Sequence, residues 1–248
     1  MNAHAPHPLP ENAGLAFLGE TAWMPALLTD HEAKRLLATA NACGRPNADV
    51  LRRRLAVVAG EPVESWQLDF PEHFTAQEAA LYEEPFALLR RRHVQAGASP
   101  HYDANLRLAL ARVSRWLALP AEADTIDWRW IADEILPDAS LVVVVRDDDF
   151  THGVLQSPAF ALWHAAHRLL LPPPQVVESF PFPWPPAKPF SALSRAQQEW
   201  RHAIARAARG GEAGALNAAV LAAYGWPADL PADELLVRLL ALHSVRAK

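Results

Sequence analysis

Cysteine is almost absent: Cys43 is the only one in 248 residues. A single thiol excludes an intramolecular disulfide and a cysteine zinc cluster, and fits a reducing cytoplasm. Lysine is scarce too. Of the 23 basic residues only Lys34, Lys188 and Lys248 are lysines, so arginine carries the positive charge. Its planar fork suits guanine edges and phosphates, although a GC-rich genome would produce the same bias. There is no excess of positive charge: 28 acidic residues set the net charge at −5. That excludes a protein that coats nucleic acid by bulk charge, and leaves room for a local basic patch. Nowhere does an apolar run reach about 18 residues, and the N-terminus shows no basic region followed by an apolar core. The expectation is a cytoplasmic chain with no membrane partner.

What is present is a large reserve of core. Hydrophobic residues make up 51% of the chain, enough for one large domain or a domain with an appendage. The most informative stretch runs from Trp128 to Pro186. It contains Leu136-Pro137-Asp138, the run Leu141-Val142-Val143-Val144-Val145, and then Arg146-Asp147-Asp148-Asp149. Four consecutive valines are β-branched and stiff, and suit a strand covered on both faces. The aspartates cannot follow them into a core unpaired, so the strand ends in a charged turn. Ser157-Pro158 reads as an N-cap followed by proline at the first helical position. Pro172-Pro173-Pro174 is expected to end that helix. Phe180-Pro181-Phe182-Pro183-Trp184 is expected to run extended, with its rings clamped on the domain.

Met1 to Gly14 reads as a disordered lead-in. Thr29 to Glu32 and Thr75 to Glu78 are capping boxes; the second is expected to open one helix carrying Ala79, Tyr82, Phe86 and Leu89. Ser65 to Phe70 alternates as a strand; Val113 to Pro120 could continue a helix over Asp103 to Arg112, or form a strand as the family resemblance given below implies. After Pro186 three helices are expected: Ser194 to Ala208, Leu216 to Tyr224 and Pro231 to His243. The chain therefore divides into 1–14, an α+β domain over 15–186, and a small helical subdomain over 187–248. The fold class is α+β, a mixed sheet with flanking helices.

Leu136 to Asp149, Gly153-Val154-Leu155-Gln156-Ser157, Leu162-Trp163 and Val177 to Pro186 resemble, in order, the C-terminal target-recognition region of the MmeI-like (type IIG) class I SAM-dependent DNA methyltransferases. Gly44 to Arg52, Ser65 to Phe86 and Leu216 to Leu242 resemble further stretches of that family, so the likeness runs from Phe17 to the end. It implies a target-recognition-like domain and a helical tail. Two family features are missing. No glycine loop follows a strand to hold SAM, and no Asn-Pro-Pro-Tyr-like motif is present to hold a flipped adenine. The family's basic, Trp-rich insertion after Arg90-Arg91-Arg92-His93 is replaced by Val94 to Tyr102. The resemblance thus implies a recognition part without its engine: no cofactor in this chain, with SAM on a separate methyltransferase subunit.

Candidate DNA-contacting residues follow from side-chain chemistry and the resemblance together. Arg90, Arg91, Arg92, Arg107, Arg112, Arg115 and Arg129 are candidates for phosphate; a solvated helix face explains the first three equally well. Arg146 either reaches a phosphate or pairs with a neighbouring aspartate. Leu170 to Ser179 resembles the family's base-reading loop; there Gln175 suits adenine and Glu178 the amino group of cytosine, while Arg168 just before it suits guanine or phosphate; the alternative is that the loop's prolines merely pack. Asp147, Asp148 and Asp149 could hold Mg²⁺, whereas the resemblance makes them structural. Trp163, Trp184 and Trp226 read as core anchors. The function expected is a DNA-specificity subunit acting on double-stranded DNA with a separate adenine-specific methyltransferase, in a restriction–modification or phage-defence system. The alternative is a non-catalytic assembly or regulatory protein that keeps the docking fold and has lost base reading.

Overall fold

The computed structural model describes residues 5–71, 73–96 and 103–248. Its strands are β1 (Ala16–Leu18), β2 (Leu27–Leu28), β3 (Leu51–Val58), β4 (Glu61–Leu68), β5 (Arg115–Pro120), β6 (Arg129–Ala132), β7 (Ile135–Pro137) and β8 (Leu141–Val144). Its α-helices are α1 (Asp30–Ala38), α2 (Ala76–Ala80), α3 (Glu83–Ala96), α4 (Ala104–Leu110), α5 (Asp149–Leu155), α6 (Pro158–His167), α7 (Pro173–Glu178), α8 (Arg195–Gly210), α9 (Ala213–Tyr224) and α10 (Ala232–Arg246). The class is α+β with two sheets, one of them mixed. The chain forms two units, each discontinuous in sequence: residues 1–18, 109–131 and 142–248, and residues 19–108 and 132–141. No helix among the described residues is long and apolar enough to cross a membrane.

The first unit is built on the sheet β1-β8-β5-β6. β8 is the valine strand, and all four of its residues are buried. β1 pairs with it antiparallel, in the register Ala16↔Val144 to Leu18↔Val142. Trp116 to Leu119 of β5 are buried as well, so the central strands are covered on both faces, as β-branched runs require. α5 to α10 cover the face that carries Val142 and Val144. Phe150, Val154, Phe160, Trp163, Ile204, Val220 and Leu239 all join one core with Val142 and Val144. The helices after Pro186, expected as a subdomain, thus share a core with the valine strand.

A glycine lies where α5 meets α8. A Cβ on Gly153 would stand 2.7 Å from Ile204 Cγ2 and 3.2 Å from its carbonyl oxygen. Glycine inside a helix costs about 1 kcal/mol against alanine; here it lets α5 and α8 approach. Beyond α7, Phe180, Phe182 and Trp184 are buried as expected, and Trp184 stacks on Phe150 at 4.8 Å. The prolines between them fix the spacing that turns successive rings inward.

Three readings change in the structure. Pro173 and Pro174 do not end a helix; they open α7. The first turn of a helix has no intrahelical use for amide N–H groups, so proline is tolerated there. Helix α6 has already stopped at His167, and the expected loop from Leu170 to Ser179 is largely helical. Residues 5–14 of the expected disordered lead-in carry a 3-10 turn, Pro10–Asn12, with Leu9 fully buried. The Leu9 amide and Asn12 Nδ2 both donate to the Glu178 carbonyl, which fastens the segment.

The second unit is built on the mixed sheet β2-β4-β3-β7. β3 and β4 form a hairpin of eight aligned pairs, Leu51↔Leu68 to Val58↔Glu61. Its turn residues Ala59 and Gly60 both have positive φ, 51° and 84°, the conformation two-residue hairpins favour. β7 adds to β3 in parallel, Arg53↔Ile135 to Leu55↔Pro137. Both capping boxes are formed, at Thr29 and Thr75. The helix expected from the second one is two: α2 ends at Ala80 and α3 restarts at Glu83. Pro85 is the reason, since inside a continuous helix it would clash with the carbonyl of the residue four back. It stands instead in the first turn of α3.

Candidate nucleic-acid interface

The candidate residues fall into both units, and each group has its own geometry. In the first unit the centre is the end of the valine strand. Asp148 is the N-cap of α5, its side chain accepting from the Thr151 amide and hydroxyl. Arg146 Nε reaches Asp148 Oδ2 at 2.9 Å, and Arg201 Nη2 of α8 reaches Oδ1 at 3.2 Å. Asp148 is thereby saturated with donors. Asp149 has a different pair. Arg115 Nη2 of β5 lies 2.8 Å from Oδ1, and Arg209 Nε of α8 lies 3.5 Å from Oδ2. Arg115 also donates from Nε and Nη2 to the Asp147 carbonyl, and its guanidinium lies 3.8 Å above the Trp130 ring centroid.

Beside it, His152 lies 5.3 Å from Trp130, and its Nε2 is 3.3 Å from the Trp128 carbonyl. Burial lowers the His152 pKa below 6.5 despite that carbonyl, and the Arg115 charge acts in the same direction. Among the described residues no group of three or more His, Cys, Asp or Glu could hold a metal ion. The Asp148 and Asp149 carboxylates take arginines, whereas Asp147 accepts from Arg115 through its backbone carbonyl; Arg146 pairs with Asp148.

The remaining sequence-predicted residues of this unit are scattered. Arg129 on β6 is exposed and forks onto Asp127 Oδ2 at 3.0 and 2.8 Å. Arg168, the C-cap of α6, bridges to Asp124 at 2.7 Å. Arg112 is exposed. Gln175 and Glu178 sit on α7. Glu178 Oε1 accepts from the Gly14 amide at 2.9 Å, and burial raises its carboxyl pKa above 4.5 against the lowering effect of nearby amides.

In the second unit Arg90, Arg91 and Arg92 are consecutive on α3 but differ in environment. Arg90 lies 5.8 Å from the Phe86 ring centroid. Arg91 is exposed, with no ion pair among the described residues. Arg92 is turned inward: Nη1 donates to the Leu27 carbonyl at 2.6 Å and Nη2 to Glu32 at 2.5 Å. Arg107 is also internal, forking onto Glu20 and reaching Asp69 at 2.7 Å.

Sequence reasoning missed Arg201 and Arg209. The signal was present: both flank Ile204 on α8, the helix face that meets α5. Nothing local shows that this face lands on Asp148 and Asp149, which are more than 50 residues away in sequence.

No family model matches the chain, and no curated protein matches it. Among solved structures the chain is similar to the type IIL restriction–modification enzyme MmeI in complex with DNA, with a TM-score of 0.60 at 14% identity. The match covers 99% of this chain and 37% of that one. At such low identity the likeness is one of fold, and the chain spans little more than a third of the MmeI polypeptide.

Proposed function

We propose that this chain is a DNA sequence-recognition module that works with a separate adenine-specific DNA methyltransferase in a restriction–modification or phage-defence system. The observation that carries the reading is the fold likeness over nearly the whole chain to part of an enzyme solved with DNA. Exposed arginines on both units support it: Arg90 and Arg91 on α3, Arg129 on β6, and the Arg115–Arg209 pair. Phosphate contacts fix register and orientation, and base edges carry the sequence information. Gln175 on α7 is the side chain we place at a base edge. The methyl donor SAM and the adenine pocket belong to the partner, since no Asn-Pro-Pro sequence occurs in these residues.

Fluorescence anisotropy with short duplexes, at two salt concentrations and with or without the methyltransferase, tests the reading. The expected result is an affinity that falls steeply with salt and varies with duplex sequence. Methyl transfer by the purified chain alone, or no duplex binding in any condition, overturns it. A second reading has one observation in its favour. Arg92, Arg115 and Arg146 are held by half-buried carboxylates and Arg168 by the exposed Asp124, and the net charge is −5. Those facts fit an assembly or regulatory protein that docks on a methyltransferase without reading bases. Methyltransferase binding with no effect of DNA identifies that case.

A further inference from the structure

The geometry points to a phosphodiester-binding fork formed by Arg115 and Arg209 across Asp149, with Arg146 and Arg201 serving as its internal support. The inference rests on the reading above and names the place on the first unit where the DNA backbone is taken.

Four guanidiniums converge on the aspartate triplet, and they divide into two roles. Arg146 and Arg201 are the more enclosed, with side chains 27% and 18% exposed, and both are spent on Asp148. Asp148 also caps α5 and accepts twice from Thr151, so its carboxylate has no capacity left. These two arginines position the end of the valine strand against α8. Arg115 and Arg209 differ: their side chains are 39% and 69% exposed, and they share one carboxylate from opposite sides. Arg209 donates from Nε to the Ala205 carbonyl, while neither Nη1 nor Nη2 donates to any acceptor among the described residues. Arg115 is held flat by Trp130 below and the Asp147 carbonyl beside it.

The arrangement has the properties of an oxyanion fork. Two planar guanidiniums come from different elements, β5 and α8, and a shared anion holds them before any ligand arrives. The support reduces the rotamer entropy that arginine loses on binding a phosphate. Four cations against the three carboxylates of Asp147, Asp148 and Asp149 leave a local excess of positive charge in a chain of net −5. Asp149 has two opposing effects: it orients both guanidiniums, and it repels the phosphate they would bind.

Arg209→Ala, Asp149→Asn and the control Arg195→Ala are compared by duplex anisotropy across a salt series. Arg195 lies on the same helix, is 93% exposed and pairs only with Glu199 among the described residues. Arg209→Ala should weaken every duplex by roughly fivefold at physiological salt and reduce the salt slope by about one, as loss of one phosphate contact requires. Asp149→Asn should tighten binding, by roughly twofold or more, because a unit negative charge leaves the site. Arg195→Ala should change neither. Wild-type binding that is untouched by Arg209→Ala overturns the fork and leaves the recognition reading intact. Absence of wild-type duplex binding removes both. Should Asp149→Asn loosen the fold, Arg209→Ala decides the matter alone, since its side chain is largely in solvent.

Discussion

Arg54 Nε and Nη2 both donate to one oxygen of Asp138, at 3.2 and 2.6 Å, from a position on β3 that is 1% exposed. The same guanidinium donates to Gln67 Oε1 at 3.1 Å and to the Glu20 carbonyl. Burial alone would raise the Asp138 carboxyl, but Arg54 and the Ser140 amide hold it below the ordinary carboxylate value. Removing the cation strands two buried acceptors and the half-buried Asp138 carboxylate at once. Arg54→Ala should therefore cost about 3–5 kcal/mol, the range for breaking a buried pair from one side. Urea denaturation followed by circular dichroism reads this, and a loss under about 1 kcal/mol would show that water or rearrangement replaces the pair.

The α5–α8 contact predicts a result opposite to helix propensity. Alanine is a better helix former than glycine by about 1 kcal/mol. Yet at Gly153 the added carbon meets Ile204 Cγ2 at 2.7 Å and Ala208 Cβ at 3.1 Å. Gly153→Ala should destabilise by about 1–3 kcal/mol, as overpacking of a filled core does. A rise in the thermal midpoint on this substitution would mean that the two helices separate freely.

Local chemistry was legible in the chain, and distant pairing was not. The valine run announces a doubly covered strand because stiff β-branched side chains have few alternatives. Thr29 with Glu32, Thr75 with Glu78, and Ser157 with Pro158 each declare a helix start within four residues, and each is formed. β3 was missed at its polar start, where Arg52-Arg53-Arg54 shows no apolar alternation. Arg54 is tolerated in the core only because Asp138 arrives from 84 residues away. The candidate site follows the same rule. Arg115, Arg129 and Arg146 could be named from chemistry and resemblance, whereas the sharing of Asp149 by Arg115 and Arg209 depends on how α8 packs.

Acid should destabilise the first unit before its carboxylates titrate. His152, His164 and His167 all have pKa values lowered from 6.5, chiefly by burial. Below pH 6.5 the unfolded chain binds these protons and the folded chain does not, so stability falls as pH drops from that value toward the depressed pKa values. Above it the contribution is complete and flat. Glu178, whose carboxyl is raised from 4.5 by burial, acts with the opposite sign, but it is one group against three. The urea midpoint should fall between about pH 7.5 and 5.5, and less so in His164→Gln. A midpoint that is constant or rises over that interval contradicts the assignment.

Arg91 and Arg92 are neighbours in sequence that should give separable phenotypes. Arg92 joins α3 to the Leu27 carbonyl and to Glu32, the same glutamate that closes the Thr29 capping box. Arg92→Ala should lower stability by about 1–2 kcal/mol, because charge-assisted bonds and the order of the α1 N-terminus are lost together. Arg91 is exposed and has no ion pair among the described residues. Arg91→Ala should leave stability within about 0.5 kcal/mol while weakening all duplexes alike and lowering the salt slope. Double-mutant analysis against Glu32→Ala separates the two: Arg92 and Glu32 should couple strongly, Arg91 and Glu32 should not. Equal loss of duplex affinity from Arg91→Ala and Arg92→Ala, with stability unchanged in both, would mean that Arg92 leaves Glu32 to meet the DNA and that α3 presents a continuous basic edge.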